Sequence, residues 1–163
     1  MQKIFAKKES LVKVLLTDAV LLAVICLVPA LSHVTAVALY QFNPMLLCLL
    51  AGMTLVNDRR NAFLLALLLP VVSMLLTGMP TPLKAICMVG ELTTLVAIWG
   101  WAEKRMPALA AILVAMLSSK IVYYGLKALI ISPVALVGTS LWLQTAMALA
   151  FAAAFVLFRR LVK

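Results

Sequence analysis

The chain has 163 residues, 66% of them hydrophobic and only 12% charged, with a formal net charge of +9. So little polar side-chain material cannot cover a water-soluble domain, and the composition is that of an integral membrane protein. The basic residues stand in small clusters between long apolar runs rather than on one patch or one amphipathic helix, which argues against nucleic acid as a partner and makes them topology signals.

A membrane-spanning helix takes about 20 apolar residues, and fewer where the bilayer thins or flanking residues snorkel. The opening "MQKIFAKKESLVKVLLTDAVLLAVICLVPALSHV" runs from basic to apolar like a signal peptide, but its apolar run is long and lacks an A-x-A type cleavage site. That pattern predicts a retained first helix, Val12–Leu31. An uncharged connection, "SHVTAVALYQF", leads to a short second helix, Asn43–Val56, with Pro44 in its first turn, where a missing N–H costs nothing. After "VNDRRN" comes a third, also short, Ala62–Thr77, in which Pro70 predicts a kink. Gly78-Met79-Pro80 separates it from a fourth, Pro82–Ala102, and the fifth and sixth follow at Pro107–Ile130 and Ser140–Phe158. No repeat or low-complexity linker interrupts the pattern. The expectation is one all-α domain, residues 1–163, a compact bundle of six transmembrane helices.

Basic residues orient such a bundle. Lys3, Lys7, Lys8 and Lys13 precede or open helix 1, Arg59 and Arg60 join helices 2 and 3, Lys104 and Arg105 join helices 4 and 5, and Arg159, Arg160 and Lys163 end the chain. With six spans all of these fall on one side, while "SHVTAVALYQF", "GMPT" and "SPVALVG" on the other carry no lysine or arginine. Because basic loops stay in the cytoplasm, both termini are expected inside.

All but three of the 14 basic residues are thus accounted for. The exceptions, Lys84, Lys120 and Lys127, lie within helices 4 and 5, and Glu91 joins them. Charges at membrane depth are costly and usually face a bundle interior or a water-filled cavity. Seven residues return a helix to nearly the same face about 10 Å further along, so Lys84 and Glu91 share one face of helix 4, and Lys120 and Lys127 one face of helix 5. The two helices run antiparallel. Lys84 and Lys127 are therefore expected near the outer surface, with Glu91 and Lys120 deeper, at a depth that allows an ion pair. A plainer reading has that pair merely clamping two helices while the outer lysines snorkel to headgroups. The functional reading makes these four residues the wall of an outward pocket, and three lysines against one glutamate favour a ligand with an acidic or phosphate group. Tyr123, Tyr124, Trp142 and Gln144 flank the same region. They suit a pocket that stacks on a flat ring, or simply an interfacial aromatic belt. His33, Tyr40 and Asn43 border it from the first connection, where a lone histidine is otherwise an ordinary loop residue.

Other chemistry finds no foothold in the sequence. Cys26, Cys48 and Cys87 stand singly in apolar segments, as packing residues do. One histidine and scattered acids do not make a metal centre, no cofactor motif is present, and no nucleophile–base constellation or H-E-x-x-H, G-x-S-x-G or G-x-x-x-x-G-K-[ST] pattern occurs, so neither an enzyme nor a self-powered pump is expected. Asp18, in the cytoplasmic third of helix 1, is expected to contact nearby basic residues. Ala19 and Ala23, four apart, form a small-x-x-x-small pattern that permits close helix approach in lipid.

The stretch "PVVSMLLTGMPTPLKAICMVGEL", Pro70 to Leu92, resembles the substrate-binding S components of energy-coupling factor (ECF) transporters, especially the branch proposed to take up vitamin B6 or pyrimidine thiamin precursors. The shared features are a proline-bearing helix 3, the T-G-M-P turn and M-x-x-E-L in helix 4. The resemblance implies a multi-pass protein of the prokaryotic cytoplasmic (inner) membrane that captures a small vitamin-like ligand outside and is toppled in the bilayer by a transmembrane T component and two ATPase subunits. Ala19 and Ala23 would then meet the T component. The chain departs from the branch in "VNDRRN", where relatives often carry a Gly-Pro turn, and in "ELTTLVAIW", which lacks the branch's aromatic after Glu-Leu. The competing expectation is a non-transport scaffold subunit of a cell-envelope complex, similar in size and topology to MreD-type proteins. A scaffold has no need for four charges converging on an outward cavity.

Overall fold

Uninterrupted runs of apolar residues with no strand-like alternation leave the backbone one way to satisfy its own polar groups inside lipid, which is to coil into helices. A computed structural model describes residues 2–37, 39–131 and 141–162, with side chains described within 11–37, 39, 41–131 and 145–161. Among the described residues every regular element is helical: α1 (Gln2–Thr35), a short 3-10 turn (Leu39–Phe42), α2 (Pro44–Leu55), α3 (Arg59–Thr77), α4 (Pro82–Ala102), α5 (Ala108–Ile130) and α6 (Leu141–Val162). Four segments, Leu11–Thr35, Arg59–Thr77, Pro82–Ala102 and Ala108–Ile130, are long and apolar enough to cross a membrane. The chain thus has the character of a helical membrane protein.

Local chemistry sets the helix ends. Asn43 caps α2 from a left-handed conformation (φ 44°), its side-chain oxygen accepting from the Leu46 N–H, and Pro44 follows at a position that needs no donor. Asp58 caps α3 by accepting from the Arg60 N–H at 2.9 Å, so α3 starts at Arg59 rather than Ala62 and reaches 19 residues. It is long enough to span, unlike the short helix expected. It continues without a break across Pro70, where the ring removes the donor that would reach the Ala66 carbonyl. Gly78 ends it in the left-handed conformation (φ 71°) that glycine adopts without strain. α2 has 12 residues, or about 18 Å of helix.

The packing pairs close a ring in the order α1, α2, α6, α5, α4, α3 and back to α1, braced by α2 against α3. Large fully buried side chains fill its middle: Ile25, Leu49, Leu65, Leu69, Leu95 and Ile112. Ala66, Ala102, Ala111, Ala115 and Ala152 are also fully buried, and such small residues let helix backbones approach where lipid gives no hydrophobic drive. Leucines such as Leu75, Leu76, Leu117 and Leu129 point outward and exposed, as lipid-facing side chains do. Asp18 on α1 accepts a hydrogen bond from Asn61 on α3 at 2.9 Å, so among the described residues its partner is a neutral amide and not the basic residue expected. Asn61 is available because the Asp58 cap brings it into the first turn of α3.

One end of the bundle gathers the basic connections. The Arg59 guanidinium donates to the Ala97 carbonyl at 3.3 Å, Arg105 lies over Trp101 at 4.4 Å, and Arg159 pairs with Glu103 while lying over Trp99 at 5.0 Å. Cations held on aromatic faces at a helix end fit a boundary where apolar bodies meet polar tips.

Candidate functional site

At the opposite end, where α3 and α5 finish and α2 and α4 begin, the ring opens around a cavity of about 550 Å³. Its charged floor comes from the α4–α5 seam. A Cβ at Gly90 would fall 2.5 Å from Leu126 Cδ1, so glycine here leaves room for the tip of that leucine from α5. The adjoining Glu91 is buried at 2% exposure. It pairs with Lys120 at 2.6 Å, Oε1 to Nζ, the Lys120 side chain staying 29% exposed. Asn43 donates from Nδ2 to the same Glu91 oxygen at 3.4 Å while its Oδ1 caps α2. One amide therefore ties the start of α2 to the buried carboxylate.

Lys120 also lies 5.4 Å from the centre of the Tyr123 ring, and Tyr123 meets Tyr124 edge to face at 5.3 Å. One heptad from the pair on each helix, Lys84 and Lys127 line the same cavity. Neither has an ion-pair partner among the described residues. The site thus holds three ammonium groups against one carboxylate.

The turn between α3 and α4 forms another wall. The buried Ser73 hydroxyl donates to the Met79 carbonyl at 2.8 Å, and Thr77, one turn on, donates to the Ser73 carbonyl at 2.7 Å. These bonds fix Met79, Pro80 and Thr81 against the opening, with a cis Met79–Pro80 peptide. Apart from Gln41, the remaining lining is apolar and rich in methionine: Met45 on α2, Met88 on α4 and Met147 on α6, with Phe151 beside the last. Flexible, polarizable thioethers fill irregular space and make favourable contacts with aromatic rings.

Seven residues singled out by sequence, Asn43, Lys84, Glu91, Lys120, Tyr123, Tyr124 and Lys127, thus meet in one cavity. His33 is exposed on the last turn of α1 and does not line it. The side chains of Tyr40, Trp142 and Gln144 lie outside the described residues, as does the connection 132–140. Ala19 and Ala23 are exposed on α1, among the outward-facing Leu15, Leu16, Val20 and Val24. Ser73, Thr81 and the methionines were not anticipated as lining residues. Ser73 and Thr77 carried a faint signal, two hydroxyls one turn apart just before Gly78-Met79-Pro80. Among the described residues no three metal-ligating side chains come together.

No protein-family model, curated protein or solved structure matches the chain.

Proposed function

We propose that the chain is the substrate-capture subunit of a membrane importer, an S component of the ECF type, binding a small vitamin or vitamin precursor from outside the cell. The observation that carries this reading is the cavity of about 550 Å³ at the end of the bundle away from the basic connections, with a buried charged pair in its floor and two tyrosines in its wall. Its size and its apolar lining with a few convergent polar groups match a pre-formed small-molecule site. Lys84 and Lys127 have no ion-pair partner among the described residues, and a ligand that supplies an acidic one gains affinity from doing so.

In this reading all six helices cross the membrane and both termini are cytoplasmic. The end with Arg59, Arg105 and Arg159 faces the cytoplasm, following the rule for basic loops. Short α2 then leaves outer membrane depth open, and the cavity occupies that space. The exposed face of α1 around Ala19 and Ala23 docks on the T component. The chain has no nucleotide-binding motif, so two partner ATPases supply the energy. The protein purified gently from its own cell membranes through an affinity tag should bring with it one transmembrane protein and two ATP-binding-cassette subunits; recovery of the chain with none of them would contradict the importer assignment.

A further inference from the structure

The four charged residues of the cavity are not equivalent. Glu91 and Lys120 neutralise each other at 2.6 Å, and Asn43 occupies the same carboxylate oxygen, so this end of the site is internally satisfied. Lys84 and Lys127 line the same cavity one heptad away, about 10 Å nearer the opening, with no acid of the described chain to balance them. Lys84 is exposed and Lys127 half-buried, and two like charges facing one opening repel unless an anion lies between them. Between these lysines and the charged floor stand the Tyr123–Tyr124 pair and, across the cavity, methionine thioethers, a lining suited to a flat ring.

Building on the capture reading, we infer that Lys84 and Lys127 form an anion clamp, and that the ligand is a small aromatic or heteroaromatic compound bearing a carboxylate or phosphate, held with its ring against the tyrosines and its anionic group toward the opening. The Glu91–Lys120 pair serves as the floor and not as the anion site. A lipid phosphate is a second source of the same chemistry, since lysines at such depth also reach headgroups. The ring-lined space behind the lysines favours a soluble ligand.

The test is titration calorimetry on protein in lipid-free nonionic detergent with three probes of one ring type: phenyl phosphate, benzoate and benzyl alcohol. Both anions should bind about tenfold or more tighter than the alcohol, the gain expected of one charge-assisted contact. Lys84→Met and Lys127→Met should each erase most of that preference, and Lys84→Arg and Lys127→Arg should retain it. Neither lysine has an ion-pair partner among the described residues, so the methionine variants should unfold near the wild-type temperature, and a melting curve checks this. If the alcohol binds as tightly as the anions, or if the methionine variants keep the preference, the clamp is wrong while the capture reading stands. Displacement of phenyl phosphate by added phosphatidylglycerol, with no such effect from a neutral glycolipid, would reassign the lysines to headgroups and overturn the inference. If none of the probes binds, the inference also fails, and the capture reading then rests on whether a small molecule copurifies.

Discussion

Removing either member of the Glu91–Lys120 pair should destabilise the bundle, but by unequal amounts. The Glu91 side chain is 3% exposed and that of Lys120 is 29% exposed. Lys120→Met therefore leaves a carboxylate sealed in the protein with only a 3.4 Å amide contact from Asn43, and breaking a buried pair in this way costs about 3 kcal/mol. Glu91→Gln leaves an ammonium that can take water from the cavity, while the new amide oxygen still accepts from Asn43. Its cost should be about 1.5–2 kcal/mol, the low end of the range for one hydrogen bond to a charged group. The double variant removes both charges and should be more stable than Lys120→Met alone, since no stranded carboxylate remains. Reversible unfolding by SDS in mixed micelles, followed by tryptophan fluorescence, gives all three differences. Equal losses from the two single changes, or a double loss equal to their sum, would refute the reasoning from burial and pairing. Ligand titration of the same variants separates clamp from site: restored stability with restored affinity in the double variant means the pair only joins α4 to α5.

The other predictions concern orientation and docking. In intact cells, a membrane-impermeant maleimide should label a cysteine introduced at Thr139 but not one at Arg160, the native cysteines being buried or half-buried; labelling of both would remove the six-span topology. Ala23→Trp, at an exposed position of α1, should change stability by no more than about 0.5 kcal/mol yet abolish copurification of the T component and ATPases. A large loss of stability with assembly retained would mean that the residue packs within the bundle instead.

The legible parts of the fold were those marked by punctuation or by charge. Pro82, following Gly78-Met79-Pro80, fixed the start of α4 at the residue expected, because proline at a first helical turn and a glycine past the preceding helix are opposite signs of the same boundary. Glu91 and Lys120 could be matched in depth because a heptad spacing on two antiparallel helices leaves little choice of register, and a charge stands out in an apolar run. The start of α3 was missed because Asp58 was read as part of a basic loop, when its carboxylate was free to cap the next helix. That error also hid the Asp18–Asn61 bond. The methionine wall was invisible for a different reason: in a chain this apolar, a cavity-lining methionine and a lipid-facing one look alike, and only the closing of the helix ring tells them apart. His33 was drawn toward the site by its position in the chain alone, and α1 carries it past the opening to an exposed last turn.

Whether the cavity holds a small molecule can be read from native mass spectrometry of the protein released from mild detergent. A second mass peak, heavier than the chain by one small ligand, is expected, and it should be lost in Lys84→Met and Lys127→Met proteins that still fold. A bare chain in every preparation would overturn the cavity's role in binding, and an adduct that survives both substitutions unchanged would overturn the lysine clamp alone.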